Sequence, residues 1–203
     1  MRIVIATGNA GKLAEILTLL APLGFDAIAQ AALGIAPAAE TAPSFVENAI
    51  LKARGAARAA HLPALADDSG LEVPALGGAP GVHSARYAGR HGDDAANVAK
   101  LLAELAVRPG ASRRARFRCV AVYLRAADDP APIVAEATWE GEIAAAPRGK
   151  RGFGYDPVFL LPALGITAAE LPAAEKNRLS HRARALLALR ERLAIERGES
   201  SPQ

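Results

Sequence analysis

Cysteine is almost absent from this chain. Cys119 stands alone, and the four histidines are scattered. One cysteine cannot close an internal disulfide, and these histidines fall into no ligand spacing. A disulfide scaffold and a His/Cys metal centre are therefore excluded, and a reducing, cytoplasmic setting is the expectation. Long apolar runs are missing too. None approaches the roughly 20 residues of a membrane-spanning helix, and the opening MRIVIATGNAGK has no secretion-signal core. No G-x-S-x-G occurs, so a nucleophile-elbow serine hydrolase has no support. Aromatics are few: 5 Phe, 3 Tyr and 1 Trp in 203 residues. Nor does one sign of charge dominate, with 24 Lys and Arg against 21 Asp and Glu. The net charge of +3 suits a phosphate-bearing partner, from nucleotide to nucleic acid, and equally an Arg-rich solvated surface.

What abounds is alanine, 49 of the 203 residues. The 51% hydrophobic content therefore overstates the core, because Ala favours helix and buries little area. The length suits one elaborated α/β domain, taken as residues 1–197, with 198–203 expected to fray. Strand patterns at Arg2–Ala6 and Phe25–Gln30 flank a helix expected over Gly11–Leu23, a unit that favours a parallel pair. After an Ala/Pro-rich loop (31–43), Ser44 and Glu47 form a capping box for a helix to Ala60. Two short strands, Leu65–Asp67 and Leu71–Val73, are expected either side of Asp68-Ser69-Gly70. Residues 77–89 read as loop and Asp93–Ala106 as helix. Strands Arg116–Arg125 and Pro132–Ile143 follow, joined through Asp128-Asp129-Pro130. Thr167 and Glu170 cap a short helix, and Glu175–Glu196 reads as one long terminal helix.

Five segments could carry chemistry. Thr7-Gly8-Asn9-Ala10-Gly11-Lys12 lies between strand and helix, where amides and a Lys suit an anion; an ordinary βα turn has the same pattern. Its glycines are too close for a Walker A loop. Asp67-Asp68-Ser69 ends a strand in two acids and a hydroxyl. Adjacent strand residues point to opposite faces, so one Asp is expected in the site and the other on backbone donors. Mg²⁺ favours carboxylates, water and substrate phosphate. Asp68 with Glu40 would give a sparse site, since Glu47 already serves the capping box. Phe153-Gly154-Tyr155-Asp156 combines aromatic faces, flexible backbone and a carboxylate, which fits base stacking or core filling. Lys176, Ser180, His181 and Arg182 offer donors to a base carbonyl or phosphate, or form a solvated basic face.

Taken together, T-G-N-x-G-K, S-F-x-E-N-A-x-x-K-A, A-D-D-S-G-L, G-A-P-G-V-x-S-A-R-Y-A-G, G-F-G-Y-D-P and S-H-R resemble the inosine/xanthosine triphosphate pyrophosphatases, the non-canonical purine NTP pyrophosphatases. The resemblance covers Arg2 to Leu193. It implies an elongated two-lobed α/β fold, a mixed sheet flanked by helices, and a homodimer. It implies Mg²⁺-dependent hydrolysis of ITP, dITP and XTP to monophosphate and pyrophosphate. On this resemblance Thr7, Gly8, Asn9, Ala10, Gly11, Lys12 and Lys52 hold the triphosphate. Asp68 is general base and Mg²⁺ ligand, and Ser69 contacts substrate. Phe153, Gly154, Tyr155, Asp156, Lys176, His181 and Arg182 surround base and sugar. Donors at that site favour a 6-oxo purine over adenine, whose 6-amino group would face them.

Two other readings compete. Nucleotide pyrophosphatases of the septum-inhibition type resemble this family in fold and metal-dependent attack, but their signature loop begins differently. A nucleic-acid module could use Arg113, Arg114, Arg116 and Arg118 with Phe117 and Tyr123. Against it, Phe117 and Tyr123 alternate in phase with Cys119 and Ala121, which predicts that they face the core.

Overall fold

A computed structural model describes residues 1–21 and 24–196. The expected C-terminal tail, and Pro22–Leu23 at the end of the first predicted helix, lie outside them. β1 (Arg2–Ile5) leads to α1 (Ala10–Leu20) and β2 (Asp26–Ala29). Then come α2 (Phe45–Ala60), β3 (Ala64–Glu72), α3 (Asp94–Ala106), β4 (Arg114–Leu124) and β5 (Ile133–Ile143). Short strands β6 (Phe159–Leu161) and β7 (Ile166–Thr167) precede α4 (Ala173–Leu179) and α5 (His181–Glu196).

These elements form a seven-stranded sheet in the order β2-β1-β3-β4-β5-β6-β7. β1 runs parallel to both β2 and β3, whereas β5–β6 and β6–β7 are antiparallel, so the sheet is mixed. The parallel pairing of β1 with β2 is the one that the strand–helix–strand pattern predicts. The RIVI strand is apolar on both faces and buried after its first residue, as a central parallel strand must be. Helix starts follow their caps. Asn9 Oδ1 accepts the Lys12 amide at 2.9 Å, and Ser44 Oγ accepts the Glu47 amide at 3.3 Å.

The chain divides into two compact units. The first comprises Met1–Asp68, Cys119–Ala137 and the segment from Arg182; the second comprises Ser69–Arg118 and Thr138–His181. Each has its own core. Ile3, Ile5, Ile16, Leu65, Tyr123, Leu186 and Leu189 fill the first. Leu71, Leu101, Phe117, Trp139, Val158 and Phe159 fill the second.

Three expectations need correction. β3 is one strand through Asp67-Asp68-Ser69, not two, because the charges of its acids are met by cations and the ladder need not break. Helix is not continuous from Glu175. Ser180 takes an extended backbone (φ −68°, ψ 157°) that ends α4, and α5 begins at His181. Serine disfavours helix interiors because its hydroxyl competes for backbone groups. Finally, the 77–89 loop contains a 3-10 turn, Gly81–Arg86.

Candidate active site

In the first unit, the end of β1, the start of α1, α2 and β3 bring charged side chains together. Thr7 is buried, and its Oγ1 accepts the Asn9 amide at 3.2 Å, which shapes the turn before α1. Gly8 packs so closely that a Cβ there would sit 2.8 Å from Pro37 Cγ. Gly8, Asn9 and Ala10 are exposed, and Gly11 and Lys12 are half-buried. Lys52 extends from α2 to Asp68 Oδ1 at 2.7 Å and Glu40 Oε1 at 2.8 Å. Both proposed metal-binding acids thus converge on one ammonium. Asn48, fully buried one turn before Lys52, holds the backbone of Ala42 through both its amide atoms. It thereby anchors the loop that carries Glu40.

Asp67 departs from expectation. It does not satisfy backbone donors. Its Oδ2 accepts Arg182 Nε at 3.1 Å and lies 3.4 Å from Lys12 Nζ. Arg182 is buried and also pairs with Glu15 on α1. Cys119 Sγ approaches Asp67 Oδ2 at 3.8 Å, and burial pushes this thiol up, out of reach of ordinary ionisation.

The two neighbouring acids are tuned in opposite directions. Burial pushes the Asp68 carboxyl above the usual carboxylate range, and Lys52 and Lys12 oppose this only in part. At Asp67 burial acts the same way, but Lys12, Arg182 and Lys52 outweigh it and hold the carboxyl well below that range. Lys52 is buried, which works against its charge, yet Asp68, Asp67 and Glu40 hold its proton more tightly than usual. Adjacent titratable groups pushed apart in this way mark acid–base sites.

The donor set fits a hard cation. Asp68 Oδ1 is taken by Lys52, while Asp68 Oδ2 is buried without a hydrogen-bond partner. A buried carboxylate oxygen left over is costly unless an ion, water or substrate meets it. Among the described residues no three His, Cys, Asp or Glu side chains converge to cage an ion. An ion here would take the rest of its shell from water and substrate phosphate, as Mg²⁺ commonly does.

The second unit holds the other predicted cluster. Asp156 Oδ2 accepts the Phe153 amide at 2.9 Å and Lys176 Nζ at 2.5 Å, with Asp156 and Lys176 both buried. Lys176 Nζ stands 4.7 Å from the centroid of the half-buried Phe153 ring. The Gly154 amide donates to Asp94. His181 stacks on Phe117, with centroids 4.7 Å apart and planes at 9°. The Tyr155 ring is core, and its hydroxyl donates to the Ser84 carbonyl at 2.9 Å. Ser84 Oγ in turn accepts the Leu71 amide. Ser69 is half-buried at the start of this unit.

The sequence reading set Asp68 beside Glu40 and gave Lys52 to the triphosphate; the structure brings all three side chains together, and it adds Glu15 and the pairing of Arg182 with Asp67. A signal existed for one half: Lys12 and Glu15 are three apart on α1 and share a face. The arginine row of β4 loses its appeal as a nucleic-acid surface. Arg116 pairs with Glu72 at 2.6 Å, Arg118 lies 3.6 Å from the same carboxylate, and Arg113 donates to the Ala144 carbonyl. Phe117 and Tyr123 are both buried.

The sequence matches the Ham1 family over residues 3–192. It is 61% identical to the dITP/XTP pyrophosphatase of Ralstonia nicotianae, covering 96% of this chain and 97% of the relative. It is 58% identical to the enzyme of that name from Thioalkalivibrio sulfidiphilus, covering 95% and 98%. The solved HAM1 protein from Coxiella burnetii superposes with a TM-score of 0.88 at 48% identity, covering 96% and 99%. A nucleoside-triphosphatase / dITP/XTP pyrophosphatase structure from Mycobacterium abscessus gives 0.70 at 42% identity, covering 93% and 97%.

Proposed function

This chain belongs to the Ham1 family, and from that membership we propose that it hydrolyses ITP, dITP and XTP to the monophosphate and pyrophosphate, keeping deaminated purines out of DNA and RNA. The observation that carries the reading is Asp68: a buried carboxylate with one oxygen on Lys52 and the other without a partner. Its raised proton affinity suits a general base that takes a proton from water aimed at the α-phosphorus. Lys12, at the start of α1, and Lys52 supply positive charge where the triphosphate's negative charge shifts. Asp68 and Glu40 would hold Mg²⁺, which supplies further charge neutralisation at the phosphates when bound.

In the second unit, Phe153 offers a ring face, and Lys176 and His181 offer donors that suit a 6-oxo purine. Asp156 orients the first two. Tyr155 supports this segment from the core, and Arg182 acts from behind, through Asp67 and Glu15. Among the described residues no helix is long and apolar enough to cross a membrane. With one buried cysteine, the proposed setting is the cytoplasm, and the proposed assembly, on family resemblance, is a homodimer.

Product analysis with ITP and Mg²⁺ tests the reaction. IMP with pyrophosphate is expected, and IDP with orthophosphate would refute it. A substrate panel tests selectivity: dITP should be turned over far faster than dATP or dGTP. Preference for a pyrimidine or modified nucleotide would favour the septum-inhibition type instead.

A further inference from the structure

The general-base role falls to Asp68, and its neighbour Asp67 enters only as a partner of Arg182. Yet Asp67 is fully buried, which for a carboxylate costs several kcal/mol even after relaxation. Two cations touch its Oδ2, and they differ in a telling way. The Arg182 side chain is 2% exposed, donates its Nε to Asp67 Oδ2 and gives another nitrogen to Glu15. It is enclosed and fixes the carboxylate's orientation. The Lys12 side chain is 14% exposed and lies 3.4 Å from that same Oδ2, a looser contact. An ammonium has three donors, so one directed at Asp67 leaves others for an anion. The Lys12 backbone is fixed as well, its amide capped by Asn9. Both ends of this side chain are therefore held before any phosphate arrives.

We propose that Asp67 is a positioning residue that acts through Lys12, docking its ammonium at the mouth of the Thr7–Lys12 turn so that it meets the substrate's phosphates without reordering. This rests on reading that turn as the triphosphate loop. Misplacing a positioned group by about 1 Å can cost roughly 10²-fold in rate.

A double-mutant cycle on dITP hydrolysis separates positioning from general structural support. Asp67→Asn alone should lower kcat/KM by at least about tenfold, chiefly through KM. In a Lys12→Met background the same change should cost less than about threefold. Equal losses in both backgrounds overturn the proposal. A second readout needs no activity: acylation of lysines by an N-hydroxysuccinimide ester, mapped by peptide mass. Lys12 should label several-fold faster in Asp67→Asn, with the exposed Lys150 unchanged. An unchanged Lys12 rate also overturns it. Should Asp67→Asn not fold, Asp67→Glu carries both tests, because it keeps the charge Arg182 needs while displacing the carboxylate from Lys12. If the parent protein turns over no dITP, the functional reading fails, and labelling alone decides whether Asp67 docks Lys12.

Discussion

Replacing Asp68 by Asn removes the proton acceptor and keeps the shape. Asn keeps a carbonyl oxygen for Lys52 but takes the charge out of a buried pair, so the melting temperature should fall, and turnover is compared at a temperature where the variant stays folded. Turnover of dITP should fall roughly 10²–10⁴-fold, as for loss of a positioned base. A variant with near-normal kcat excludes Asp68 from that role. Gly152 is a second decisive position. Its φ is +76°, and a Cβ there would lie 2.0 Å from Asp156 Oδ2. Gly152→Ala should therefore displace Asp156 from Lys176 and from the Phe153 amide. The expected result is a raised KM for dITP and a stability loss of about 1–3 kcal/mol, read by steady-state kinetics and urea unfolding. Unchanged KM would detach Asp156 from substrate recognition. The sequence points to candidate residues where a motif juxtaposes them: Asp68 with Ser69, or Lys176 close to His181. It is not legible where partners come from distant segments. Asp67 meets Arg182 across 115 positions, and no spacing rule reaches that far.

Among the elements, the connection from β4 to β5 makes a testable electrostatic statement. Asp129 accepts the amides of Arg125 and Ala131 at 2.9 and 3.0 Å, and the Arg125 guanidinium as well. Burial works against its charge, but these donors outweigh it and hold the carboxyl below its ordinary 3.8. Folding thus favours the ionised form. Its contribution is complete above the unfolded value and is lost as pH falls through the lower folded value. Asp129→Asn should cost about 1 kcal/mol at pH 7, the difference between charged and neutral hydrogen bonds. That gap should close once the pH drops below the folded value. Urea titrations at a series of pH values measure it, and a cost that persisted throughout would mean that the charge is not its source. Elements with strong local signals, such as α2 behind its capping box and β4 with its alternation, fall close to where the sequence places them. The misplaced boundaries, at β3 and α4–α5, lie where tertiary partners decide. Cations let β3 run through two acids, and the backbone turns at Ser180 inside an otherwise helical pattern.

At the scale of the molecule, the alanine-rich composition resolves into two cores that keep the large side chains. Five of the nine aromatics, Phe117, Trp139, Tyr155, Phe159 and Tyr123, are buried in them, four in the second core and Tyr123 in the first. The boundaries between the units fall inside strands: after Asp68 in β3, after Arg118 in β4 and after Ala137 in β5. A strand cannot lose one half without fraying the ladder of the other, so the units should unfold as one cooperative system despite their separate cores. Leu101, fully buried on α3 in the second core, provides the test. Leu101→Ala should remove about 2–5 kcal/mol. If the units are coupled, the slowest-exchanging amides of Ile3, Val4 and Ile5, in the first unit, should lose protection by the same free energy. Trp139 fluorescence, which reports on the second unit, should then melt together with far-ultraviolet circular dichroism, which reports on the whole chain. Unchanged exchange at β1, with Trp139 melting first, would instead mean that the first unit keeps its charged network intact while the second opens.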